Sequence, residues 1–448
     1  MGFEARDVGD VVDVVDVVDV AEVVRAAHVA GDHWAATSVA ERVRLLRAWR
    51  GRLWRAASDL AGTLHLEAGL SIDEAMLEVL HSIEHLKWVE ANAARVLNAT
   101  AHGAGLLNPE LTTRTSYAAE GVVAVIASSH APLYGPSSAV VNALASGNAV
   151  VLKPALEHPS TLLAYAELLR ADVPLLQVVT GDETTTAALA ASPVDRVCVF
   201  GSAAVAARIS AVSARALVPV TVVPVGPAVT VVAPDADLRA AAASVARTVG
   251  RAGSADAGAV PEVFVAPDVS ADFDAELREA LAAADPAPLG LGSGLGSGLA
   301  RALGVRRPRA AAELAAGSTD ADPRLRVHGQ AEFGEVLARL RDRPYAHVAV
   351  FSRGRGTQIG EALRAAQVSV NVGVGSVAGA LPRQVIGARG YGPLSGDHGL
   401  RTFGRAVAVT TRRRLSVPVP GNPADVLLAT PAGKLAARLA FHLRHSLT

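Results

Sequence analysis

The chain has 448 residues, half of them hydrophobic but only 4% aromatic, and a formal charge of −1 from 42 Lys and Arg against 43 Asp and Glu. That balance excludes an electrostatic partnership with nucleic acid or an acidic membrane surface. One cysteine excludes an intramolecular disulfide and a thiolate zinc cage, so no metal site is expected, and the length predicts about two or three domains with Ala-, Val- and Leu-rich cores.

The first ten residues are acidic and lack the charged-then-apolar order of a signal peptide, so the expected compartment is the cytoplasm. Val11–Asp19 repeats Val-Val-Asp with a period near that of a helix and predicts a short amphipathic one. Ser38 with Glu41 and Ser71 with Glu74 form two capping boxes, each opening a long helical pattern. Thr112–Tyr117 and Ala406–Thr411 are polar and β-prone. Between them the apolar runs Val122–Ile126, Ala149–Leu152, Leu176–Val179, Val197–Phe200 and Val229–Val232 alternate with helical stretches. That order predicts an α/β fold with a doubly wound parallel sheet.

Cys198 lies inside one of these runs, which predicts a buried small hydrophobe rather than a nucleophile. Val218–Val232 is broken by Pro219, Pro224 and Pro227, so no membrane span is expected. Leu289–Ala300 is glycine-rich but has no strand before it and no Lys-Ser/Thr after it, which predicts a linker rather than a phosphate loop. Pro423–Thr448 carries spaced leucines among basic residues and predicts an amphipathic tail helix docking on its own protein or a partner.

Four segments carry a resemblance: GVVAVIASSHAPLYGPSSAVVNALASGNAVVLKP (Gly121–Pro154), VVTGDE (Val178–Glu183), FGSAAV (Phe200–Val205) and PVTVVPVGPAVTVVAPDADL (Pro219–Leu238). Their order resembles that of the aldehyde dehydrogenase superfamily. RPYAHVAVFSR (Arg343–Arg353), VSVNVG (Val368–Gly373) and GYGPLSGDHGLRTF (Gly390–Phe403) resemble its closing elements more loosely. The resemblance covers most of residues 40–416, with a deletion around 285–330. It implies a nucleotide-binding-type domain at 1–104 and 121–225 and a catalytic-type domain at 226–400. Bridging strands are expected at 105–120 and 401–416, a tail helix at 417–448, and a homodimer or higher homo-oligomer.

The same resemblance implies a divergent member. Its catalytic cysteine stands in G-Q-x-C, and the matching run here is Gly253-Ser254-Ala255-Asp256, which puts a carboxylate in the thiolate's place. A carboxylate cannot form the thiohemiacetal. The oxyanion asparagine of P-W-N-F-P aligns with His130, after Ser128 and Ser129, and the general-base glutamate aligns with Val223. Lys153 and the Gly201-Ser202 pair match cofactor-binding positions, while the ribose-binding glutamate is displaced to Glu157, with Leu156 in its place. Phe333-Gly334 is a poor match to E-x-F-G-P, because the spacing fits a helix there. The expected cofactor is therefore none, or NAD(P) weakly bound.

In the family the cysteine and asparagine face one spot in the substrate tunnel, so His130 and Asp256 are expected within hydrogen-bond reach, as a general acid–base pair with Ser129 and Ser254 beside it. Three functions follow. The favoured one is a repurposed, non-redox enzyme catalysing cyclisation, dehydration, isomerisation or hydrolysis of a carbonyl or acyl substrate, in specialised metabolism. The alternative is an NAD(P)-dependent oxidoreductase acting on an aldehyde without a covalent thiohemiacetal. The second alternative is a catalytically dead scaffold.

Overall fold

The computed structural model describes residues 19–103, 111–129, 132–224, 229–251, 262–283, 326–329, 333–342, 345–363, 365–373, 384–385, 392–412, 429–431 and 433–435. Four helices open the described chain: α1 (Val20–Ala35), α2 (Val39–Arg55), α3 (Ala57–Ala68) and α4 (Ile72–Leu97). Asp19 caps α1 by accepting from the Ala21 and Glu22 amides, so this helix starts where the Val-Val-Asp repeat ends; the rest of the repeat lies outside the described residues. Both capping boxes form: the Ser38 and Ser71 hydroxyls accept from the Glu41 and Glu74 amides, and each glutamate reaches back to its serine amide.

The first sheet is five-stranded in the order β5-β4-β3-β6-β7. Its strands are β3 (Val122–Ile126), β4 (Ala149–Lys153), β5 (Leu176–Val178), β6 (Arg196–Gly201) and β7 (Val220–Pro224), all parallel. Strands β3 and β4 are buried at every residue, which explains why their sequences read as unbroken apolar runs rather than alternating ones. The chain winds from β3 outward through β4 to β5, then returns to lay β6 on the other side of β3. Right-handed crossovers therefore put α5 (Tyr134–Ala145) and α6 (Pro159–Glu167) on one face, and α7 (Glu183–Ala191) and α8 (Ala203–Ser213) on the other.

The turn from α5 into β4 passes through Gly147 at φ +97, where a Cβ would lie 2.6 Å from the Arg42 guanidinium. Arg42 is itself buried and donates to the Ala35 and Thr37 carbonyls, so this turn accepts no side chain.

A second five-stranded parallel sheet, ordered β10-β9-β8-β11-β12, follows the same plan. It comprises β8 (Val229–Val232), β9 (Glu262–Val265), β10 (Arg326–His328), β11 (Tyr345–Phe351) and β12 (Ala365–Val370). α9 (Leu238–Arg251) and α10 (Ser270–Ala283) pack together against it, and α11 (Phe333–Asp342) precedes β11. A short antiparallel pair, β13 (Gln384–Val385) and β14 (Gly392–Pro393), comes next, and in the remaining sheet β2 (Leu111–Ala119) is central, flanked antiparallel by β1 (Thr100–His102) and β15 (Gly404–Arg412). The chain thus has an α/β fold built on parallel sheets, as the alternating runs predict. The glycine-rich segment 289–300 lies outside the described residues, as does most of the tail.

Candidate functional site

The carboxyl edge of the first sheet collects the site. Ile126 at the end of β3 is in register with Lys153 of β4 on one side and Val199 of β6 on the other. The strand order reverses between β3 and β6, and in open α/β sheets ligands bind in that crevice, beyond the strands' carboxyl ends. Ser128 and Ser129 continue β3 over it, while Gly201 ends β6 and Ser202 follows it.

Ser202 caps α8, its hydroxyl accepting from the Val205 amide at 3.4 Å, and the first turn of α8 holds no acidic residue. The free N–H groups and positive dipole end of that helix suit an anion such as a pyrophosphate. A Cβ on Gly201 would meet only the Val205 side chain, at ordinary contact distance. Protein packing alone thus does not require glycine there; a close backbone approach by a ligand would.

Lys153 is only 5% exposed, and among the described residues its ammonium has no hydrogen bond or ion pair. Burial lowers its pKa, while the more distant carboxylates of Glu157, Asp182 and Glu183 act the other way. Removing an ammonium from water without a direct partner is costly, and a hydroxyl-bearing ligand at this edge would offset that cost. Glu157 is exposed beside Leu156. Asp182 is held below the usual carboxylate range by the Thr184 hydroxyl and the Thr184 and Thr185 amides at the start of α7. These residues fit the phosphate and ribose portions of a dinucleotide.

Of the remaining expected residues, Ser129 is exposed on the crest and Ser128 is half-buried. His130, Ser254 and Asp256 lie outside the described residues. Val223 is half-buried on β7, in register with Phe200, and has no proton to move. Cys198 is fully buried on β6, and burial pushes its thiol up to about 12, against a smaller opposing pull from Arg196. A thiol in that position is inert. Phe333-Gly334 opens α11, so this segment is helical, as its spacing predicts.

The sequence did not reveal a polar seam behind the crest. The buried His85 Nε2 meets Asn142 Oδ1 at 3.0 Å, Ser137 donates to Ser82, and the Glu78 carboxylate accepts from the Tyr134 amide at the start of α5. The one linear signal was Ser82 and His85 spaced three apart on an apolar face of α4. Among the described residues, no group of three or more His, Cys, Asp or Glu could hold a metal ion, and no helix is long and apolar enough to cross a membrane.

A parallel sheet with helices on both faces and a reversal of strand order between β3 and β6 defines an α/β protein of the doubly wound class. The chain belongs to the aldehyde dehydrogenase family, whose profile matches residues 6–288, more than half of its length. Human mitochondrial succinate-semialdehyde dehydrogenase is 36% identical over 145 residues, 32% of this chain and 26% of the human protein. The NADP(+) enzyme of that name from Schizosaccharomyces pombe is 32% identical over 36% of this chain and 32% of its own. These alignments thus span about a quarter to a third of the curated relatives. A Mycobacterium ulcerans protein with the provisional name succinate-semialdehyde dehydrogenase [NADP(+)] 2 is 26% identical over 88% of this chain and 84% of its own.

Solved structures share the fold. An NADP-dependent enzyme of Escherichia coli superposes with a TM-score of 0.71 at 22% identity, over 87% of this chain and 89% of its own. A Staphylococcus aureus betaine aldehyde dehydrogenase determined with NAD+ gives 0.75 at 17% identity, over 89% of this chain and 90% of its own.

Proposed function

We propose that this protein is an NAD(P)-dependent oxidoreductase that acts on an aldehyde without a covalent thiohemiacetal. The observation carrying this reading is the edge that has the buried Lys153, without a hydrogen bond or ion pair among the described residues, and the Gly201-Ser202 helix start around one crevice, while the chain's sole thiol is buried in a strand. It replaces the non-redox acid–base reading the sequence favoured, because the relatives named above carry dehydrogenase names and Lys153, Gly201 and Ser202 stand at positions that resemble the family's cofactor contacts.

When bound, the nicotinamide group supplies the hydride acceptor or donor. Lys153 is assigned to a ribose hydroxyl, and the α8 N-terminus with Ser202 to the pyrophosphate. Lys153 shares this edge with the Glu157 carboxylate, which is assigned to the second ribose hydroxyl. Without a thiol, the oxidisable species is the aldehyde hydrate, which loses a hydride from carbon and a proton from oxygen to become the carboxylic acid. His130 is assigned to take that proton and Asp256 to orient its imidazole, with Ser129 and Ser254 as hydroxyl partners of the substrate. The substitution of cysteine, asparagine and glutamate by Asp256, His130 and Val223 is part of this proposal. So are the domain division given above, a homo-oligomer of at least two copies and a cytoplasmic location.

The test is a titration of the purified protein with NADH and NADPH by nicotinamide fluorescence, followed by turnover assays over neutral, cationic and carboxylate-bearing aldehydes. Micromolar binding with aldehyde-dependent change in nicotinamide absorbance is expected; absence of binding at millimolar cofactor overturns the reading.

A further inference from the structure

A second basic site lies on the opposite edge of the first sheet. α6 leaves the carboxyl edge near Lys153 and returns the chain to the amino end of β5, so the residues following it, Leu168–Arg170, sit on the amino edge, away from Ser202. There Arg52, Arg55 and Arg170 line a concavity of about 290 Å³ together with Ala56, Asp59 and Leu168. Three arginines thus share the lining with one acidic residue.

Arg52 has local partners. Its Nε donates to the Leu168 carbonyl at 2.6 Å and its Nη2 donates to the Leu169 carbonyl, which satisfies the end of α6 and fixes the guanidinium. Arg55, in the last turn of α2, and Arg170, just after α6, are both exposed. Neither forms an ion pair with any described residue, and Asp59 forms none with either of them. The fold nevertheless holds Arg170 at φ +47, a left-handed conformation that a side chain of its size rarely adopts. Burial, with Arg170 and Arg55 adding repulsion, lowers the pKa of Arg52, so the three cations stand close together, and Arg55 and Arg170 have no ion pair among the described residues.

We propose that this concavity is a binding site for a small dianion of the phosphate class, separate from the cofactor crevice. Planar guanidinium forks bind phosphate oxygens in bidentate fashion, and a dianion would neutralise the excess charge of the lining.

The probe is inorganic phosphate, titrated at constant ionic strength with both calorimetry and thermal unfolding as readouts. Wild-type protein is expected to bind it saturably and gain Tm, and Lys153→Ala to respond in the same way. The doubly substituted Arg55→Ala/Arg170→Ala protein should bind phosphate at least about tenfold more weakly while matching wild type with NADPH. Arg170→Gly adds a discriminating readout: relief of the left-handed backbone should raise Tm in phosphate-free buffer while weakening phosphate binding. An equal response in the double variant overturns the proposal, as does one reproduced by chloride at the same ionic strength, which marks an adventitious ion only. No response in wild type overturns it as well.

Discussion

Asn142 donates its side-chain amide to the Leu394 carbonyl at 2.7 Å across 252 residues, while its Oδ1 meets His85 at 3.0 Å. One buried amide on α5 thereby joins α4, α5 and the returning C-terminal segment. Ser146 and Asn148 extend the seam by donating to the Leu400 and Phe403 carbonyls. Asn142→Ala leaves a carbonyl and an imidazole unsatisfied in the core and is expected to cost about 2–4 kcal/mol. Urea unfolding monitored by circular dichroism checks this; a loss below about 0.5 kcal/mol would remove the seam from the list of stabilising features.

Burial drives the pKa of His85 from 6.5 down to about 4. Below pH 6.5 the unfolded chain takes up a proton that the folded chain refuses until about pH 4. Stability from this residue is therefore complete above pH 6.5 and falls on acidification through that window, by up to about 3 kcal/mol. His85→Gln should flatten the acid limb of a stability–pH curve; an unchanged slope would assign the limb to other groups.

Lys153→Met removes a buried ammonium that has no partner among the described residues, while keeping most of its volume. Stability of the ligand-free protein should hold or rise, whereas NAD(P)H affinity should fall by about tenfold or more. Thermal shift and cofactor fluorescence move in opposite directions on this view. A loss of stability with unchanged binding would make Lys153 a structural residue.

Cys198, with its thiol pushed up to about 12, should resist alkylation in the folded protein and react fully on unfolding. Cys198→Ala should retain turnover within about twofold, since the side chain only fills space in β6. Mass spectrometry after iodoacetamide treatment and a parallel activity assay give both answers.

His130→Ala and Asp256→Asn separate cofactor binding from chemistry. Each should lower kcat by about 10²–10⁴ while leaving NAD(P)H affinity near wild type. Full activity in both would transfer the proton-moving role to other groups.

The sequence by itself determined the local structure. Val122–Ile126 and Val229–Val232 form strands with the bounds their apolar runs define, because a strand covered on both faces has no alternation to blur its ends. The Ser38–Glu41 and Ser71–Glu74 boxes start helices because their bonds are made within four residues. Lys153, Gly201 and Ser202 were legible only through the resemblance, whereas Glu78 and Asn142 gave no sign of what they touch.

Tertiary structure alone decided which strands are neighbours. β6 lies beside β3 because the winding reverses there, and β2 pairs with β15 across almost three hundred residues. It alone buried Lys153 and drew Arg52, Arg55 and Arg170 to one edge. Charge and hydrogen-bonding capacity are properties of a residue, but desolvation and the distance between charges exist only after distant segments have packed together.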